Sequence, residues 1–144
     1  MGRRDKNPPR EAGSTGTQVQ PGRVPLAVPR PVIWVGSSKD DISVLPPPVK
    51  ASFGHRLRQV QEGRMPLDAK LLAQFGPGVL EIRERFDGNA YRLMIVIALR
   101  KAVYVLHAFM KKSKSGIALP KHDAELIEAR LKRARDLDTE DGHD

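Results

Sequence analysis

Between Val79 and Lys114 the chain sets six basic side chains into otherwise apolar runs: Arg83, Arg85, Arg92, His107, Lys111 and Lys112. A guanidinium holds two oxygens of one phosphate through parallel N–H bonds. A lysine adds a compact positive charge, and becomes a base where burial or neighbouring cations lower its pKa. A histidine titrates near neutrality and can give or take a proton. Together these types can hold an anion and stabilise charge that develops on it. Each also has a structural reading. Arg92 fits an ion pair with Glu81 or Glu84 on the neighbouring run. Glu81, Arg83 and Arg85 alternate, so they share one face of a strand, which also fits a solvated charged surface. Lys111 and Lys112 are adjacent and point to opposite faces. His107 fits packing within an apolar strand, and Tyr91 alternates with Leu93, Ile95 and Ile97 as a core residue does. Four scattered histidines and no cysteine give no ligand spacing, so neither a metal nor another cofactor is implied.

The elements that must position these residues follow from pattern and punctuation. Val79–Phe86, Ala90–Leu99 and Ala102–Met110 read as three strands of an antiparallel meander. Asp87-Gly88-Asn89 tolerates the positive φ of a hairpin turn, and Arg100-Lys101 marks a second turn. The middle strand is apolar on both faces except at Arg92, as expected for a central strand. Upstream, Val32–Val35 is a short strand ended by Gly36, joining the sheet from outside the meander. A short helix starts at Ser38, with Ser38 as cap and Asp41 three residues on. Pro46-Pro47-Pro48 breaks it and opens a second helix. That helix runs to about Glu62 on Val49, Phe53, Leu57 and Val60 and stops at Gly63. The pair forms an α-hairpin. Leu71–Phe75 forms a turn of helix or an extended cover. Lys111–Lys121 is a basic loop, broken by Gly116 and Pro120. A last helix spans about Lys121–Leu137 on Ala124, Ile127, Leu131, Ala134 and Leu137.

The expected fold is therefore α/β of the α+β kind, a small, mainly antiparallel sheet with an N-terminal α-hairpin and a C-terminal helix. Residues 1–31, rich in Pro, Gly and Arg, read as a disordered extension, residues 32–137 as the domain, and residues 138–144 as a flexible acidic tail. The formal net charge is +8. Residues 1–30 carry six Lys/Arg against two Asp/Glu, residues 31–120 fourteen against seven, and residues 121–144 five against eight. The central domain itself is thus basic, which points to a polyanion or an acidic partner; a solubilising excess of charge is the plainer reading. No apolar run approaches the ~20 residues that span a bilayer. No apolar segment follows Met1-Gly2-Arg3-Arg4, so the expected location is the cytoplasm.

The order strand, two helices, meander, basic loop, helix resembles the RelE/HigB superfamily of toxins from bacterial type II toxin–antitoxin pairs. Four strings are similar to its phage-related, HigB-like branch: Trp34–Lys39, Leu80–Arg83, Asn89–Arg92 and Val105–Lys112. The likeness runs on through Lys114-Ser115 and Pro120 into Glu125–Arg130, and covers roughly residues 32–137. It implies a metal-independent endoribonuclease that cuts mRNA on the ribosome and inhibits translation, and a cognate helix-turn-helix antitoxin. In such a reaction a base takes the 2′-OH proton, the oxygen attacks phosphorus, cations stabilise the phosphorane, and an acid protonates the departing 5′-oxygen. The residues expected to act are Arg92, Arg83, Lys111, Lys112 and His107. Arg85, Lys114, Arg56 and Arg58 are expected RNA contacts, with Tyr91 stacking on a base. Some family members carry a His/Asp/Tyr cluster at the C-terminus; here Asp141-Gly142-His143-Asp144 lies beyond the last helix and receives no role. The alternatives are a ParE-like toxin that inhibits gyrase by binding alone, and a non-catalytic basic RNA-binding protein of phage origin.

Overall fold

The computed structural model describes residues 28–111 and 119–142. Elements follow in the order β1 (Val32–Trp34), α1 (Ser38–Ser43), α2 (Pro47–Gln61), β2 (Lys70–Leu71), a 3₁₀ turn (Ala73–Phe75), β3 (Val79–Phe86), β4 (Asn89–Val96), β5 (Val103–Lys111) and α3 (Lys121–Gly142). They build one five-stranded mixed sheet in the order β1-β5-β4-β3-β2. The meander β3-β4-β5 is antiparallel, as its pattern predicted. β1 lies parallel to β5, with Val32 beside Val103. β2 pairs with the far edge of β3, Lys70 opposite Glu81.

Each face of the sheet has its own core. Val49, Phe53, Leu57 and Val60 of α2 pack with Leu80, Ile82, Tyr91, Leu93, Ile95, Val103 and Val105. On the other face Ile127, Leu131 and Ala134 of α3 pack with Val79, Met94, Val96, Tyr104 and Leu106. The strands are apolar on both faces because both faces are covered, the condition that gives a continuous apolar run instead of alternation. In the β4–β5 ladder Met94 pairs with His107 and Ile95 with Val105, so Leu106 is the extra residue of a bulge. The bulge lets Leu106 enter the α3-side core while His107 bonds Asp123 of that same helix.

Several boundaries differ from those expected, each for a local reason. The first hairpin is tighter: Asp87 (φ 52°) and Gly88 (φ 79°) form a two-residue loop, and Asn89 already pairs with Phe86. Both central residues having positive φ is the signature of a type I′ turn. β4 ends at Val96 instead of Leu99, because the Ile97 amide leaves the ladder and donates to the Gly78 carbonyl at 2.8 Å. The second connection is therefore an open loop from Ile97 to Ala102. Ser38 does not cap α1. It lies inside the helix, buried, with an Oγ that has no hydrogen-bond partner among the described residues. α3 continues to Gly142, so Asp138–Gly142 is helix where a flexible tail was expected. The reason is Asp138, which turns inward onto the Ile97–Ala102 loop. The expected extension at 1–31 lies outside the described residues up to position 27. Its last residues belong to the domain: Pro31 accepts from the Val103 amide, and Arg30 Nη1 donates to the Ile97 and Leu99 carbonyls.

Candidate anion-binding site

Three cross-strand rows, read off the register, build the site. Lys70, Glu81, Met94 and His107 form the first row; Arg83, Arg92 and Phe109 the second; Arg85, Ala90 and Lys111 the third. All belong to the face that α3 packs on, since directly paired residues share a face. Lys70, Leu71, Leu72, Gln74, Glu81, Arg83, Arg92 and Leu119 line a cavity of about 150 Å³ at this end.

Arg92 is the centre of it. The side chain is 3% exposed, far more buried than an arginine usually is. Its Nη1 donates to Glu81 Oε2 at 2.9 Å. Its Nε and Nη2 are buried and have no hydrogen-bond partner among the described residues. Those two nitrogens form one lateral fork of the guanidinium, the edge that takes two oxygens of a single phosphate or carboxylate. The ion-pair reading of Arg92 and the anion-binding reading are therefore both satisfied, on different edges of one group. Arg83, half exposed, stands opposite Arg92 and gives its Nε to Glu81 Oε1 at 3.1 Å. Burial holds the Arg92 guanidinium below its ordinary pKa; Glu81 opposes that shift and Arg83 adds to it. Lys111 ends β5, one row beyond Arg92. Burial, and then the charges of Arg92 and Arg83, lower its pKa; Glu81 works against them and Lys70 with them.

The structure thus brings Arg92, Arg83 and Lys111 together, with exposed Arg85 on the same face. It adds two residues that the sequence reading passed over, Lys70 and Gln74, and turns Glu81 from a surface charge into the only carboxylate lining the cavity. Lys70 was hidden because a two-residue strand carries no periodicity. Lys112 and Lys114 lie outside the described residues.

The remaining predicted residues stand elsewhere. His107 is buried. Its Nε2 contacts Asp123 Oδ1 at 2.8 Å, its Nδ1 contacts Asp41 Oδ2 at 3.3 Å, and its ring stacks on Phe109. Asp41 also receives Arg130 Nη1 at 2.7 Å, and Arg130 bonds Leu106 O and Ser37 Oγ. This network ties α1, β5 and α3 together, and it engages both ring nitrogens that proton transfer would use. Tyr91 is buried in the α2-side core, on the face opposite Arg92, so its ring is packed instead of presented to a base. Arg56 lies on α2. It donates to Arg83 O at 2.6 Å and pairs with Asp68 and Glu84, holding the helix to β3. Arg58 is exposed on that same helix. Neither approaches the cavity lining. Among the described residues no group of three or more His, Cys, Asp or Glu is placed to hold a metal ion, and no helix is long and apolar enough to cross a membrane.

No curated protein matches this chain. Among solved structures, one chain of the toxin–antitoxin complex RelBE2 from Mycobacterium tuberculosis is similar at 20% identity, over 62% of this chain and 99% of that chain, with a TM-score of 0.43. The family model described as phage derived protein Gp49-like (DUF891) matches residues 40–132, a span that includes α2, the whole sheet beyond β1, and half of α3. With well over half of its length matched, the chain belongs to the phage-derived Gp49-like family.

Proposed function

We propose that this protein is the toxin of a type II toxin–antitoxin pair, of the HigB-like kind, and that it cleaves mRNA on the ribosome in the cytoplasm without a metal. One observation carries the reading: the buried, unoccupied fork of Arg92 faces a small cavity beside Arg83 and Lys70, with Lys111 one row away. A fixed guanidinium needs no reorganisation as charge develops on a phosphorane, and one such donor is worth about 10²–10³ in rate. Arg92 holds the scissile phosphate, and Arg83 and Lys70 share its charge. Lys111, its pKa lowered, takes the 2′-OH proton. The 2′-oxygen bonds to phosphorus as the bond to the 5′-oxygen breaks, leaving a 2′,3′-cyclic phosphate and a protonated 5′-hydroxyl. A helix-turn-helix antitoxin encoded beside the toxin keeps it silent.

The test is induced expression of the full chain, of Arg83→Ala and of Lys111→Ala. Arg83 is half exposed and Lys111 partly so, which spares the fold. Mapping of mRNA 5′ ends should show new 5′-hydroxyl ends within translated frames, depleted in both variants. Growth arrest with intact mRNA would overturn the ribonuclease in favour of a gyrase-type toxin. Neither arrest nor cleavage would leave an RNA-binding protein.

A further inference from the structure

Glu81 is out of place in a pocket built for an anion. It is 2% exposed, it lines the cavity, and its negative charge opposes any phosphate that enters. A neutral residue there would bind phosphate better. Its geometry explains its presence. Arg83 and Arg92 are direct cross-strand partners, an arrangement in which like charges repel. Glu81 lies between them and gives one oxygen to each, Oε1 to Arg83 and Oε2 to Arg92. It meets Arg92 at Nη1 alone, so the Nε/Nη2 fork stays open toward the cavity. A buried guanidinium without a partner is costly, and Glu81 removes that cost without using the edge that binds phosphate.

We propose that Glu81 is a positioning residue for the phosphate-binding arginines: it holds Arg83 and Arg92 side by side before RNA arrives, and sets the affinity of the pocket for RNA phosphate below what the cations alone would give. The proposal rests on the ribonuclease reading for its effect on cleavage, and on the anion pocket alone for its effect on binding. Glu81→Gln removes the charge at nearly constant shape. Binding of a short single-stranded RNA whose 2′-hydroxyls are methylated, so that it is held and not cut, becomes about tenfold tighter, a modest share of the Coulomb term at this range. Single-turnover cleavage of translated mRNA becomes slower by about tenfold or more, because the arginines are no longer held. A residue that only supported the fold would weaken both. Unchanged or weaker RNA binding by a folded variant overturns the proposal, as does retained cleavage.

Two further measurements keep the test decisive if Glu81→Gln is less stable. Inorganic phosphate should raise the unfolding temperature of Glu81→Gln more than that of the wild type, since the ion replaces the missing carboxylate and binds only the folded state; an equal rise overturns the idea. Glu81→Asp keeps the charge on a shorter stem that does not span both arginines. It should bind RNA as the wild type does and cleave slowly; tighter binding overturns the charge argument. If the wild type itself does not cleave, the ribonuclease reading fails, and the RNA and phosphate measurements still judge Glu81.

Discussion

Lys111 and Arg92 divide the proposed work by what each group can do with a proton. A guanidinium keeps its proton and serves as a fixed charge. Lys111, lowered by burial and by Arg92, Arg83 and Lys70 against the pull of Glu81, reaches its free-amine form at a lower pH than an ordinary lysine. The expected outcome for Lys111→Arg is therefore retained RNA binding with cleavage reduced by about 10²–10⁴. In the wild type, cleavage under subsaturating conditions should rise with pH and level off once Lys111 is deprotonated, below the ordinary lysine range; in Lys111→Arg that rise should vanish. A pH–rate profile in a purified translation system checks both. The residues legible in the sequence were those whose alternation fixed their face: Arg83, Arg85, Arg92 and Lys111. His107 and Tyr91 belong to residue types that do chemistry, yet their chemistry is spent on packing. Neither the Asp41 and Asp123 partners of His107 nor the α2 cover over Tyr91 is visible from spacing along one strand.

At the scale of elements, the end of α3 and the start of β3 each fix the loop that follows β4. Asp138, 9% exposed, accepts from the Arg100 and Lys101 amides and from Tyr104 Oη. Burial works to raise its pKa, but those two amide bonds and the Tyr104 bond outweigh it and hold the carboxyl below its ordinary value. Burial and the same carboxylate push Tyr104 up to about 12. A depressed carboxyl contributes stability that is present above its unfolded pKa of ~3.9 and is lost as pH falls through the folded value. A raised phenol contributes stability that is present below its unfolded pKa of ~10 and is lost as pH rises through the folded value. Asp138→Asn should thus lose about 1–3 kcal/mol at neutral pH, with the gap to wild type narrowing in acid, as urea titrations at several pH values would show. Gly78 pins the loop from the other side. At φ +76° an added Cβ would lie 2.3 Å from Ala98 Cβ and 2.7 Å from its amide nitrogen. Gly78→Ala should cost about 2–4 kcal/mol in the same titrations, from left-handed backbone strain plus overpacking. The helices and the meander were legible because periodicity and proline breaks are local. The overrun of α3 was not, because a seven-residue acidic stretch reads as tail until a distant loop supplies amides for it.

For the whole molecule, function follows from how much of each sheet face is covered. α2 and α1 bury one face, and Arg56 and Arg58 sit on that side, away from the cavity. α3 covers the other face over the rows of Val79, Met94 and Val96 and stops short of the rows that carry Arg83, Arg92, Arg85 and Lys111. The uncovered part of an otherwise apolar sheet is therefore a strip of cations on a rigid base, with Lys70 supplied by the edge strand. The +8 charge of the chain alone predicts that RNA binding weakens with salt. The fold predicts which charges are responsible. Each phosphate contact on a single strand contributes about −0.7 to the slope of log K against log salt. Removing Lys70 and Arg83 together should flatten the slope measured with the full chain by about 1.4. Arg58→Ala removes as real a charge from the opposite layer and should leave the slope unchanged. Net charge falls by one in the second case and by two in the first, so a purely bulk electrostatic attraction would make the two effects differ only twofold. A null effect of Arg58→Ala beside the full loss for the pair would place the RNA on the face that α3 leaves open, and equal loss per charge removed would remove any claim that the strip is a site.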